Sequence, residues 1–245
     1  MRVSPLATPQ LQAALGNLKG GLVAQRARAR DALPEFEELR EIARSIKNHT
    51  LDHLDLYLET YEKNATAAGA KVHFAPTDAD ARAIIEKICR EAGAKTVTKG
   101  KSMVSEEIAL NAHLEKAGFE IVETDLGEYL VQIRHETPSH IIAPAIHLSQ
   151  DQVEADFRRH HTHLAPDRDL ATPELLVAEA RAVLRQRFLA ADIGITGANF
   201  LVAETGPAVI VTNEGNGDLS AHLPRTHIVL ATIDKVIPTL ADLAT

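Results

Sequence analysis

Two lysines and a serine stand close together in the segment KGKSMVSEE, residues 99–107. The segment lies between a predicted strand near Thr96–Thr98 and the start of a predicted helix. In an open α/β sheet, ligands bind beyond the carboxyl ends of the strands, and a helix N-terminus favours anions. The segment therefore predicts a phosphate or carboxylate site formed by Lys99, Lys101 and Ser102. The alternative is a solvated loop in which Ser102 only caps the helix.

Amide and hydroxyl side chains gather at the ends of further predicted strands, in GITGANF (194–200) and in VAETGPAVIVTNEGNGDLSAHLP (202–224). Glycine allows a backbone to approach a ligand closely, and amide and hydroxyl groups supply hydrogen bonds of fixed direction. The predicted ligand-binding residues in these two segments are Asn199, Thr205, Asn213 and Asn216. The alternative is turn chemistry, with the glycines chosen for positive φ.

Two acids, Glu204 and Glu214, flank the short apolar run Ala208–Val211. A carboxylate can act as a nucleophile or as a general base, so both residues are candidates for a catalytic role. The run predicts a central buried strand. Its ends are about 10 to 13 Å apart at about 3.3 Å per residue, so the two acids need not share one site.

Histidine is abundant, with twelve in the chain. The middle third contains His135, His140, His147, His160, His161 and His163. Paired imidazole ligands on a helix need a spacing near i, i+4, and no carboxylate is placed to complete such a site. The sequence therefore predicts no metal site. His140, in PSHIIAPAIH, is expected to order a loop or to line a pocket.

The composition excludes several classes of function. Lys and Arg number 26 against 34 Asp and Glu, which gives a formal net charge of −8. The chain therefore lacks the excess of positive charge that is typical of proteins that bind nucleic acid or anionic membranes. Cys89 is the only cysteine, so this chain alone forms neither a disulfide nor an all-cysteine metal site, and a position in the core is expected. No apolar run of 18 residues and no N-terminal apolar segment is present, which predicts a cytoplasmic protein without a membrane span.

Periodicity and capping signals divide the chain into an N-terminal arm and helical extension, residues 1–68, and an α/β domain, residues 69–245. Residues 1–33 predict a mobile arm or a short docking helix. Helices are predicted at 34–50, 51–68, 77–93, 104–117, from a capping box at 149–152, and at 172–190; strands are predicted at 71–75, 96–98, 119–124, 192–196, 208–211 and 227–232. Successive β-α units predict a mixed, largely parallel sheet flanked by helices.

Four long segments, taken in order, resemble the lactate-utilisation protein B family, whose members carry the LUD domain. They are KGKSMVSEEIALNAHLEKAGFEIVETDLGEYLVQI, PSHIIAPAIH, ADIGITGANFLVAETG and VTNEGNGDLSAHLP. The resemblance implies an α/β domain of the isomerase and CoA-transferase-like class. It also implies a protein that works with companion lactate-utilisation subunits to oxidise L-lactate to pyruvate.

Members of that family are regarded as iron–sulfur electron carriers, and the resemblance places their [4Fe–4S] ligands in a ferredoxin-like segment downstream of the LUD domain. That segment is absent here, and one cysteine cannot hold such a cluster, so no cofactor is expected within this chain. The leading expectation is therefore a LUD-domain component of a lactate oxidation system that binds a small anionic ligand.

Two other functions stay open at this stage. One is a stand-alone enzyme or binding protein for a phosphorylated or CoA-linked small molecule, using Glu204 or Glu214. The other is a non-catalytic interaction module whose amphipathic helices at 34–68 dock onto partner subunits.

Overall fold

The computed structural model describes residues 9–139 and 143–244. From Pro9 to Ala67 the chain is largely helical. The N-terminal helices are α1 (Pro9–Leu18), α2 (Ala24–Asp31), α3 (Phe36–Asp52) and α4 (Leu54–Ala67), with a π-helical turn at Lys19–Val23. The predicted helices at 34–50 and 51–68 are thus confirmed, and helical structure also covers residues 9–31 of the segment predicted as a mobile arm or a short docking helix.

In the described part of the chain after α4, seven further helices and seven strands follow. The helices are α5 (Asp78–Glu91), α6 (Met103–Glu107), α7 (Leu110–Lys116), α8 (Leu126–Ile133), α9 (Gln150–His160), α10 (Pro173–Ala190) and α11 (Asn216–His222). The strands are β1 (Thr96–Lys99), β2 (Glu120–Glu123), β3 (Ile193–Thr196), β4 (Phe200–Val202), β5 (Ala208–Val209), β6 (Thr226–Val229) and β7 (Val236–Ile237). Short 3₁₀ helices occupy Ile233–Lys235 and Ala241–Ala244.

Capping chemistry sets the starts of the longer helices. Thr77 accepts from the backbone of Asp80 in a capping box at α5, and Ser149 and Gln152 form the predicted capping box of α9. Thr172 caps α10 ahead of Pro173, where the missing N–H costs nothing. Local sequence alone therefore places these three starts correctly.

The main sheet has the order β2-β1-β3-β6, and all its strands are parallel. Val97, Ile121, Ile193 and Ile195 point into a core that also contains Ile85, Cys89, Leu110, Leu114 and Phe119. A second core joins β2 to α8, α9 and α10; its central residues are Phe157, Leu170 and Leu184. The predicted class, a mixed and largely parallel sheet flanked by helices, is confirmed.

A smaller sheet has the order β5-β4-β7, and β6 of the main sheet lies between β5 and β7 in the chain. β4 pairs antiparallel with β5 and parallel with β7. Its core residues Leu201, Ala203 and Val236 pack against Tyr57, Leu58 and Tyr61 of α4. Helix α4 therefore shares a core with this sheet. The predicted boundary at residue 68 stays a prediction.

Three sequence predictions are wrong in detail. Residues 71–75 form no strand, because Phe74 is half exposed and the segment has no sheet neighbour to pair with. The helix predicted at 104–117 is broken into α6 and α7 at Ala109, whose φ is +50°. The run Ala208–Val211 is an edge strand of two residues, not a central strand, because β4 covers only one of its sides.

Helix α11 lies unusually close to the main sheet. A Cβ atom on Gly194 of β3 would stand 1.8 Å from the carbonyl oxygen of Ser220 in α11. Only glycine permits this approach. Within residues 9–139 and 143–244, no helix has the length and apolar character required to cross a bilayer.

Candidate functional site

The carboxyl ends of the parallel strands form one side of the main sheet, which is called the carboxyl edge here. At this edge the KGKSM segment lies beside the residues that follow β3. The Gly100 N–H donates to the carbonyl of Ile195 at 2.8 Å. A Cβ atom on Gly197 would meet the Ser102 hydroxyl oxygen at 3.4 Å, so glycine leaves room for the two loops to touch. The chain thus places Lys99, Lys101 and Ser102 where parallel sheets of this kind bind ligands.

Lys99 is the innermost of these residues. Its ammonium group lies 2.9 Å from Glu123 Oε1 at the end of β2, and it donates to the Ser105 hydroxyl at 3.1 Å. The two side chains are 1% and 6% exposed. Lys99 is therefore buried beneath the surface of the carboxyl edge. Its predicted ligand-binding role stays a prediction.

Glu123 carries an incomplete set of hydrogen bonds. Oε1 accepts from Asn111 at 2.5 Å, while Glu123 Oε2 and Asn111 Oδ1 are buried without a partner among the described residues. Burial raises the pKa of Glu123, and Lys99 opposes that rise. Buried polar atoms are usually hydrogen-bonded, so these two oxygens indicate a place for water or a ligand donor.

Ser102 caps helix α6. Its hydroxyl oxygen accepts from the Ser105 N–H at 3.3 Å, and the Ser105 hydroxyl donates back to the Ser102 carbonyl at 2.7 Å. The capping role that the sequence left open is therefore present. A second role in ligand binding stays a prediction.

Lys101 forms a second ion pair, closer to solvent. Its ammonium group lies 2.9 Å from Oε1 of Glu128 in the first turn of α8, and the side chains are 31% and 5% exposed. Burial raises the pKa of Glu128 to about 8, a side-chain hydrogen bond with Asp125 adds to this rise, and Lys101 opposes it. This pair combines a partly exposed cation with a buried carboxyl group.

One hydrogen bond joins the segment after β3 to the segment after β5. Asn199 accepts from the Val211 N–H at 2.8 Å. Ser220 of α11 lies against Gly194 of β3, and Asn216 is the first residue of α11. Asn213 and Glu214 precede this helix end and are exposed.

Glu204 and Thr205 lie at the opposite end of the β4-β5 hairpin. The Glu204 carboxylate accepts from the Leu240 N–H at 3.0 Å, and its carbonyl accepts from Asn64 of α4 at 2.9 Å. A Cβ atom on Gly206, at φ +83°, would stand 2.4 Å from the Ala65 nitrogen. Here the turn chemistry is present, and it fastens the hairpin to α4 at the end of β4 opposite to Asn199. The catalytic roles of Glu204 and Glu214 stay predictions.

Two histidines of the middle third, His147 and His161, hydrogen-bond to neighbouring side chains. His161 is buried, with Tyr129 Oη at 2.8 Å and Glu179 Oε1 at 2.8 Å, and burial lowers its pKa. His147 lies between Ser139 and Glu136, at 2.7 and 2.9 Å. His140 falls outside the described residues. Among those that are described, no three His, Cys, Asp or Glu side chains gather as metal ligands would.

Cys89 lies on the buried face of α5. Burial raises the pKa of its thiol to about 11, so the thiolate that an iron ligand must supply is disfavoured. One buried thiol does not fit a [4Fe–4S] cluster, which takes four ligands.

Sequence reasoning missed Glu123 and Glu128, and with them the partners of both lysines. The signal for Glu123 was available, because it is the second-last residue of the predicted strand at 119–124 and therefore lies near the same carboxyl edge as Lys99. Glu128 had no comparable signal, since α8 was not predicted.

Comparisons with known proteins show the family of the chain. The family model of the LUD domain matches residues 58–245. The chain is 42% identical over 234 residues to Lactate utilization protein B of Bacillus pumilus, which covers 95% of this chain and 49% of that protein. For Lactate utilization protein B of Bacillus subtilis the identity is 41% over 233 residues, covering 95% and 48%. The chain spans about half the length of these relatives, and no solved structure matches it significantly. The chain therefore belongs to the LUD domain family.

Proposed function

We propose that the chain is the LUD-domain component of an L-lactate utilisation system, in which L-lactate is oxidised to pyruvate. The observation that carries this proposal is the identity of about 41% to relatives named Lactate utilization protein B, over 95% of the chain. Companion lactate-utilisation subunits are the proposed partners. The cytoplasmic location predicted from the sequence belongs to the same proposal.

Within this system the domain binds a small ligand and docks onto the companion subunits. A redox centre outside this sequence accepts the electrons. Oxidation of lactate to pyruvate releases two electrons and two protons, so an acceptor is required. The [4Fe–4S] cluster expected of the full-length family is proposed as part of that electron path, with ligands from another segment or subunit. No step in this chain is assigned to it, because Cys89 does not suit the role.

The ligand of the domain is proposed to be a small anion at the carboxyl edge, held by Lys101 and the Ser102 hydroxyl. Asn199, Asn213 and Asn216 are proposed to orient it from the other side. Support comes from the partial exposure of Lys101 and from the close approach of Gly197, two residues before Asn199, to Ser102. The alternative of a stand-alone enzyme that uses Glu204 is not favoured, since its carboxylate accepts from the Leu240 backbone and holds a turn.

Growth tests the proposal directly. Deleting the gene for this chain is expected to abolish growth on L-lactate as the carbon source while growth on pyruvate stays normal, because only the oxidation step is lost. Reintroducing the gene is expected to restore growth on lactate. Unchanged growth of the deletion strain on lactate would refute the function.

A further inference from the structure

Helix α2 exposes a stripe of side chains that combines one apolar residue with two arginines. Val23 at the N-cap, Arg26 and Arg30 are spaced i, i+3 and i+7, so they lie on one face of the helix. All three are exposed, Val23 to 64%. None of the residues of α2 is buried in the described part of the chain. This face of α2 is therefore open to solvent.

The start of α3 exposes a stripe of complementary composition. Glu35 at the N-cap, Glu38 and Ile42 have the same spacing of i, i+3 and i+7, and all three are exposed, Ile42 to 43%. Here the two charged residues come first and the apolar residue last, whereas in α2 the apolar residue comes first. The two stripes therefore match when the helices run in opposite directions.

An antiparallel alignment brings every residue of one stripe opposite a suitable residue of the other. Each stripe spans about 10.5 Å, at about 1.5 Å for each residue of a helix. The facing pairs are Val23 with Ile42, Arg26 with Glu38, and Arg30 with Glu35. Opposite charges then meet at two positions, and apolar side chains meet at the third.

These pairs are not formed within one chain in this structure. Arg30 binds the adjacent Asp31 at 2.7 Å, and both side chains are largely exposed, at 45% and 64%. Among residues 9–139 and 143–244, Arg26, Glu35 and Glu38 have no ion-pair partner. The charges that the alignment requires are thus present on the surface of one protomer.

A surface that carries both halves of a complementary pattern is complementary to a second copy of itself. Under a two-fold axis, α2 of each protomer meets α3 of the other, so that every facing pair occurs twice. A different protein would have to match the basic stripe and the acidic stripe separately. The pattern therefore favours a second copy of this chain as the partner.

We propose that residues 23–31 and 35–42 form the interface of a homodimer, in which α2 of one protomer packs antiparallel against α3 of its partner. The inference goes beyond the proposed function, because it concerns the N-terminal helices and does not depend on the ligand of the domain.

Sedimentation equilibrium of the purified full chain tests the assembly. A species with twice the mass of one chain is expected. Its dissociation constant should rise between about 0.05 M and 0.5 M NaCl, because salt screens exposed charge pairs. A chain that stays monomeric at every concentration measured would overturn the inference and would leave this surface to a different partner.

Charge exchange identifies the facing residues. Arg26→Glu/Arg30→Glu and Glu35→Arg/Glu38→Arg should each weaken the homodimer about a hundredfold or more, because like charges then face each other. An equimolar mixture of the two variants should form a heterodimer about as stable as the original homodimer, because opposite charges face each other again at every position.

The control reverses two arginines with the same spacing elsewhere on the surface. Arg181→Glu/Arg185→Glu changes exposed residues of α10 and should dimerise as the unmodified protein does. Circular dichroism checks that each variant is folded. A dimer that survives both reversals would place the interface elsewhere, and folded variants that fail to associate when mixed would show that these charges do not face each other. Either result contradicts the inference.

Discussion

Lys99 and Glu123 form an ion pair, 2.9 Å between Nζ and Oε1, in the interior of the protein at the ends of two adjacent parallel strands. The strands align Lys99 with Glu123 in register, so the backbone pairing itself brings the charges together. Ser105 and Asn111 add one hydrogen bond to each partner. These contacts hold the two buried charges beneath the carboxyl edge in a fixed arrangement, as a mobile loop would not.

The first prediction concerns this pair. Lys99→Met should lower the free energy of unfolding by about 3–5 kcal/mol, because it leaves a buried carboxyl group without its counter-charge. Urea unfolding monitored by circular dichroism measures the change. Lys87→Met is the control, since the Lys87–Glu91 pair is exposed and should contribute less than about 1 kcal/mol.

The double variant Lys99→Met/Glu123→Met makes the test sharper. Removing both charges should recover much of the stability lost in the single variant, because no unpaired charge remains in the interior. A double variant as unstable as the sum of the two single variants would show that the pair is not coupled.

The second prediction concerns Glu128 and pH. Its pKa in the folded protein is about 8 against an ordinary value of 4.5, so between these values the folded protein keeps a proton that the unfolded chain releases. The stability that Glu128 contributes is therefore fully present at low pH and is lost as the pH rises toward about 8.

Glu128→Gln removes this titration and isolates its effect. The variant should gain stability relative to the unmodified protein as the pH rises, by up to about 1.4 kcal/mol for each pH unit, and the gain should level off above about pH 8. Urea unfolding of both proteins at about pH 5, 7 and 9 measures it. A difference that does not vary with pH would mean that the pKa of Glu128 is not raised.

The third prediction concerns the contact between α11 and the main sheet. Gly194→Ala should destabilise the protein by about 1–3 kcal/mol or more, because the new Cβ would stand 1.8 Å from the Ser220 carbonyl oxygen and α11 must shift. Thermal unfolding measures the loss. In Gly16→Ala the new Cβ enters open space within helix α1, so this control should be neutral or up to about 1 kcal/mol stabilising.

The fourth prediction concerns Cys89. Its thiol should not react with a disulfide reagent such as Ellman's reagent in the folded protein, because it is buried and its pKa is raised to about 11. One thiol for each chain should react once the protein is unfolded in urea. Rapid reaction of the folded protein would place Cys89 at an accessible position instead.

Capping residues and apolar periodicity predicted the helix starts and the buried faces, because these depend on residues that are close in sequence. The capping residues Thr77, Ser149 and Thr172 each make the bond that the sequence predicts. The apolar periodicity of α5 and the β-branched strands of the main sheet also predicted the class of the fold, because these residues are the ones that can face a core.

The errors lie where distant parts of the chain decide the local structure. Residues 71–75 have strand-like composition but no strand beside them to pair with. At Ala109 a positive φ breaks a helix that periodicity alone would continue, and Arg82 of α5 donates to the freed carbonyl of Ile108 at 2.7 Å. Neither outcome has a signal in the residues immediately around it.

The sequence by itself determined the family resemblance, the class of the fold, the helix starts and the presence of two lysines at the end of one strand. Only the tertiary structure decided that Lys99 is enclosed with Glu123 and that Lys101 remains accessible beside Glu128. It also separated Glu204 and Thr205 from the edge, by directing their hairpin toward α4. The physical reason is that burial and charge pairing depend on which strands and helices become neighbours, and segments far apart in the chain supply those neighbours.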